Sequence, residues 1–176
     1  MSAKPHNHVS PRSLIYRYLD TNGDGTGTKN AVGDYSTPTD FYIAPPAGTA
    51  YSIERLIVHI EDNGTLSPDK YGALTALSNG IDVEMLRGAA VLCDFNDGLP
   101  ITHNGDWGRN SYDWSESSFG AGNNIVQVRL TFSKTGSALY LNGNLGDKLV
   151  IRMNDNLTGL VEHYFMVQGI SNDKDY

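Results

Sequence analysis

Asp20-Thr21-Asn22-Gly23-Asp24-Gly25 sets three oxygen-bearing side chains two residues apart, with a glycine after the last. Oxygens in that spacing can converge on one hard cation while the glycine permits the sharp turn. Asp20, Asn22 and Asp24 are therefore a weak candidate calcium set, and calcium is the only cofactor the residues suggest. The last ligand of such a loop is a bidentate glutamate, and Ala31 stands in its place. Asp34 would complete a site only if the loop folded back. The same residues also suit a plain turn between two strands, which needs Gly, Asn and Asp for its backbone.

A second candidate lies in the polar stretch 96–124, which holds both tryptophans, Trp107 and Trp114, with Tyr112 and Phe119. Aromatic faces beside carboxylates and amides are the chemistry of a sugar-binding surface, because rings stack on pyranose faces while polar groups bond the hydroxyls. Trp107, Tyr112 and Trp114 are the candidate glycan or partner contacts. The competing reading packs Trp107 and Trp114 under their own loop or against a neighbouring subunit, since aromatic burial dominates core and interface energetics.

The remaining reactive types are scattered. Histidines stand at 6, 8, 59, 103 and 163. His6 and His8 are too few ligands for a metal centre, while His59 and His163 fall inside strand patterns and read as core or interface histidines. Cys93 sits mid-strand with no cation nearby to lower its pKa, and reads as a small buried hydrophobe. The chain contains no G-x-S-x-G, H-E-x-x-H, P-loop or dinucleotide fingerprint. The expectation is a protein that is not an enzyme. A glycan-degrading enzyme would need two carboxylates about 5–9 Å apart across a cleft.

The elements that must position these residues follow period-2 alternation. Residues 14–19 and 40–43 read as strands, and in 53–60 the side chains of Leu56, Val58 and Ile60 oppose those of Arg55, Ile57 and His59. Residues 81–85 alternate apolar and acidic types, with 91–95 as the hairpin partner across Arg87-Gly88. Further strands fall at 126–132, 138–141, 149–153 and 163–167. Ser67-Pro68-Asp69 and 154–161 each suit one capped helical turn, and 96–124 reads as loop. The pattern predicts an all-β fold, an antiparallel β-sandwich of jelly-roll type. It is divided into an extended N-terminal arm (1–13), the sandwich domain (14–170) and a polar tail (171–176).

Composition agrees. Asn, Asp, Gly and Pro fill just under a third of 176 positions, while hydrophobic residues supply 39%, enough for a core in a single domain. This mixture excludes helical bundles and coiled coils. A run of about 18 apolar residues, which a membrane-spanning helix requires, is missing, so membrane insertion is not expected. Thirteen basic against twenty acidic residues give a net charge of −7. Direct nucleic-acid binding, which needs a basic surface, is likewise not expected. One cysteine allows no internal disulfide, and the polar N-terminus lacks the apolar core of a signal peptide, so the chain is expected to fold in a reducing cytoplasm.

Several stretches together resemble a family of small proteins encoded by tailed bacteriophages: TNGDGTGTKNAVGDYS, TDFYIAPPAGTAYSIERLIVHIED, LSNGIDVEM, LTFSKTGSALYLNG and LVEHYFMVQG, within residues 16–170. The resemblance implies a non-enzymatic structural protein of the virion, assembled in the host cytoplasm. Likeness to other small all-β phage proteins implies a capsid decoration (cement) role, bridging subunits of the major capsid protein or other virion proteins. It also implies a homo-oligomer, with a trimer the commonest expectation. A receptor- or glycan-binding module of a tail or head fibre, or a head–tail adaptor, is the alternative. The resemblance supplies no catalytic residues.

Overall fold

The structure, a computed structural model, describes residues 12–19, 38–62, 67, 69–71, 76–107, 113–118, 124–132, 138–157 and 162–173. Ten strands occur among them: β1 (Arg12–Leu19), β2 (Thr39–Ile43), β3 (Thr49–Asp62), β4 (Ile81–Arg87), β5 (Ala90–Asp94), β6 (Asp113–Ser118), β7 (Asn124–Thr131), β8 (Leu139–Asn142), β9 (Asp147–Met153) and β10 (Glu162–Asp173). The first sheet runs β1-β10-β3-β7-β6, with β8 also on β3, and the second runs β2-β9-β4-β5. Every strand pair is antiparallel.

The two sheets enclose one core. Phe41 and Ile43 of β2, Ile81 and Val83 of β4 and Leu149, Ile151 and Met153 of β9 meet Leu56, Val58 and Ile60 of β3, Leu141 of β8 and Phe165 and Val167 of β10. Phe41 and Phe165 touch edge to face across the layers, their centroids 5.4 Å apart. The all-β sandwich expected from alternation is thus the observed architecture.

Strand β3 shows how the sequence meets this core. Tyr51 and Ile53 are buried, and so are Leu56, Val58 and Ile60, although a strict two-residue period cannot put both sets on one face. Opposite them Gln168 pairs with Arg55 and Gly169 with Ile53, which leaves Glu54 without a cross-strand partner. This bulge shifts the phase by one residue, so Glu54 and Arg55 both point to solvent and apolar residues face inward on either side.

Several expectations shift. Strand β1 starts at Arg12 and β10 runs to Asp173, so strand pairing reaches past both ends of the 14–170 domain. The stretch read as a loop holds β6, paired with β7 from Asp113↔Arg129 to Ser118↔Asn124. Its sequence, DWSESS, carries no apolar alternation, and a strand held by its main-chain ladder needs none. Lys70 N–H bonds Ser67 O (3.2 Å), while Pro68 and residues 72–75, on which the expected helical turn also falls, lie outside the described residues. Of the turn expected at 154–161, residues 154–157 are not helical, and 158–161 lie outside the described residues. Cys93 is exposed, because β5 is the last strand of its sheet and Ala90 to Cys93 are all exposed.

Candidate functional site

The aromatic candidates do not assemble into a described platform. Trp107 ends a 3-10 turn (Asn104–Asp106) and is 1% exposed, packed toward Phe165 at a centroid distance of 6.5 Å. Its ring faces belong to the core, and stacking on a sugar is closed to it. Tyr112 lies outside the described residues. Trp114 stands on β6 opposite Val128, and its side chain is likewise outside them.

The Trp107 loop is anchored by its neighbours. Asp106 Oδ2 accepts from Thr102 N–H (2.8 Å), the Thr102 hydroxyl (3.0 Å) and His103 N–H (3.0 Å), gathering the turn around one carboxylate. Asn104 N–H bonds Lys70 O (3.0 Å) and Leu77 N–H bonds Thr102 O (2.9 Å), tying the loop to the 67–77 segment. Tyr71 beneath is fully buried, and burial pushes its phenol well above the ordinary value, opposed by the Trp107 indole. The indole N–H itself makes no hydrogen bond of good geometry.

Other Asp and Asn residues also serve the turns. Asn96 is buried and imitates a strand, accepting from Val83 N–H (2.9 Å) and donating to Ile81 O (3.3 Å). Asp155 accepts from three successive amides, those of Ser78, Asn79 and Gly80, at 3.2, 3.0 and 2.6 Å. Asp94 accepts from the amides of Asn96 and Gly98, both at 2.8 Å. Among the described residues no group of three or more His, Cys, Asp or Glu could hold a metal ion. Asp20, Asn22 and Asp24, the candidate calcium set, lie outside the described residues, as do His6 and His8.

Among the described residues, the outer face of the second sheet carries a connected set of ion pairs. Arg152 of β9 lies between its register neighbours Asp40 on β2 and Asp82 on β4. It grips Asp40 with two bonds (2.9 and 3.3 Å) and reaches Glu84 with a third (3.1 Å). Asn154 donates to Asp82 (2.9 Å). Burial raises the Glu84 pKa, Arg152 lowers it, and Asp82, Asp94 and Asp40 raise it further. Toward the other end of the face the Lys148 ammonium lies 5.6 Å from the centre of the Tyr42 ring. Val150, which pairs with Tyr42 and Glu84, is completely buried.

At that end Asp147, almost wholly buried, receives Arg87 through Nε (2.7 Å) and Nη2 (3.1 Å) and the Asn142 amide (3.0 Å). The Arg87 guanidinium holds the Asp147 carboxyl below its ordinary value of 3.8. A carboxyl with a depressed folded pKa adds stability above the unfolded value and loses it as pH falls through the folded one. Asp147→Asn is therefore expected to be less stable than wild type at pH 7, with the gap closing below about pH 4. Urea unfolding over a pH series measures this. A gap that persists unchanged at pH 2.5 would contradict it.

Residues 40 and 152 stand far apart in the chain, and only sheet register brings them together. The one signal in the sequence is the acidic alternation of 81–85, which marks a wet strand face. Compared with known proteins, the chain matches no family model, no curated protein and no solved structure.

Proposed function

We propose that this chain is a non-enzymatic structural protein of a bacteriophage particle, decorating the capsid by bridging neighbouring subunits. The observation that carries the reading is strand order. With β6 and β8 set aside, the other eight strands fall, in chain order, into sheets 1-8-3-6 and 2-7-4-5. That order supports a jelly-roll winding, an architecture that viral capsid and lectin domains use. The warrant is one of architecture, to which the sequence resemblance adds the phage context. A face of fixed ion pairs over buried apolar groups gives such a protein a rigid surface to set against a lattice. The glycan-binding alternative is left with Tyr112 and Trp114, since Trp107 is in the core.

Because β1 begins at Arg12, the arm can be tested by removing residues 1–11 and leaving the sheet intact. The truncated protein is expected to keep its β-type circular dichroism and to lose at least 90% of its occupancy on purified heads, about 1.4 kcal/mol or more of binding. Electron microscopy of decorated particles reads both location and copy number. Full occupancy by the truncated form, or absence of the full-length protein from particles, would overturn the proposal.

A further inference from the structure

We infer that the turn at 104–107 holds one ordered water molecule, which bridges Asn104 Oδ1 and the Trp107 indole N–H. Among the described residues three buried side-chain polar atoms make no hydrogen bond to the protein. Two of them are Asn104 Oδ1 and Trp107 Nε1, the third being Thr131 Oγ1. Asn104 and Trp107 are each 1% exposed. A buried polar group left without a partner costs more than an ordinary hydrogen bond returns, so such groups are met by protein or by ordered water.

Local geometry sets the two atoms on one side of the turn. Asn104–Asp106 is a 3-10 turn, and Trp107 caps it with αR backbone, its N–H bonded to Asn104 O. In a 3-10 turn, side chains three positions apart eclipse one another. Burial follows that spacing, because Gly105 and Asp106 between the two are only half-buried. The Asn104 amide is oriented by its other end. Its Nδ2 donates to Ser67 O (3.4 Å), and turning the amide over would set oxygen against that carbonyl. Oδ1 is thus an acceptor and the indole nitrogen only a donor, yet the two do not bond each other.

The polarity of this pair selects the ligand. A cation would face the indole N–H and an anion would face the amide oxygen, so neither satisfies both. Water gives a proton to Asn104 Oδ1 and takes the indole N–H at the same time. Its second proton has an oxygen to meet in the fully buried Tyr71 phenol, which lies close enough to the indole for its pKa to be lowered by it. About three partners is the usual number for an internal water. Asn104 N–H also bonds Lys70 O (3.0 Å), the residue before Tyr71, so the water completes with side chains a joint that the backbone begins. The site stands independently of the capsid reading.

A crystal structure of the full chain at about 1.5 Å resolution is expected to show a water oxygen about 2.7–3.2 Å from both Asn104 Oδ1 and Trp107 Nε1. In solution, oxygen-17 relaxation dispersion counts water molecules held for longer than nanoseconds. Asn104→Leu, similar in size and unable to bond water, should lose one such molecule relative to wild type while keeping β-type circular dichroism. A direct bond between Asn104 Oδ1 and Trp107 Nε1, a bond from either to another protein group in the water's place, or a site with no water density overturns the inference. A folded Asn104→Leu variant with the wild-type count overturns it as well. If that variant does not fold, the wild-type crystal structure decides alone.

Discussion

Replacing Trp107 with alanine is expected to cost about 3–5 kcal/mol of stability, the range for deleting a large aromatic side chain from a core. For a domain of this size that lowers the midpoint of thermal unfolding by roughly 10 °C, at about 2–4 °C per kcal/mol. The expectation follows from its 1% exposure and its place against Phe165, which in turn meets Phe41 of the opposite sheet. Trp107→Phe should cost less than half as much. It keeps a six-membered ring in the site, gives up only part of the indole's volume, and the N–H it removes makes no well-formed hydrogen bond within the chain. Scanning calorimetry of the two variants separates packing from polarity. A Trp107→Ala midpoint within 2 °C of wild type would mean that the ring is not part of the core and would return it to the surface chemistry first considered.

A methyl group added at Gly143 should be nearly as damaging, at about 3 kcal/mol, the upper end for an overpacked site. A Cβ there would come 2.7 Å from Pro45 O and closer still to the Pro46 carbonyl. Neither side can yield easily. Pro46 O accepts from Thr49 N–H (3.1 Å), and Asn144 Oδ1 accepts from Gly48 N–H (2.7 Å), pinning the 45–48 loop to the 143–145 turn. Gly48→Ala is the control. Its backbone is left-handed (φ 83) but nothing lies within 4 Å, so it pays only conformational strain, about 1 kcal/mol. Urea unfolding of both variants distinguishes collision from strain, and a Gly143→Ala loss no larger than the Gly48→Ala loss would refute the collision.

Strands whose alternation is local were legible from residue types. Ile81 to Met85 and Leu56 to Ile60 fall in strands β4 and β3, the 126–132 run falls in β7 up to Thr131, and Leu56, Val58 and Ile60 face the core. What depends on distant pairing was not. The bulge at Glu54 is set by Gln168 and Gly169, and nothing near residue 54 announces it. Strand β6 pairs along its backbone with β7, and its sequence DWSESS carries no apolar alternation to announce it. Cys93 sits in an apolar run that resembles a buried strand, and only its place at the end of the sheet exposes it.

Among the candidate site residues, Trp107 shows the same division. Its type and loop context suited either a binding platform or a core anchor. The choice rests on Phe165, Tyr71 and the carboxylate of Asp106, two of which lie far away in the chain. Asp155 and Asn96 read as ordinary turn residues. Their work on the amides at 78–80 and at 83 is visible only in three dimensions.

Strand β10 lies between β1 and β3, with Arg12 opposite Asn172 on one side and Thr49 opposite Asp173 on the other. During synthesis, then, β1 meets its partner among the described strands only when β10 has emerged, and the central β3 waits for β10 on one edge over the same interval. Assembly of the first sheet must await nearly the whole chain, and loop closure over that span is slow. That interval of open strand edges is when nascent chains are most exposed to pairing with one another.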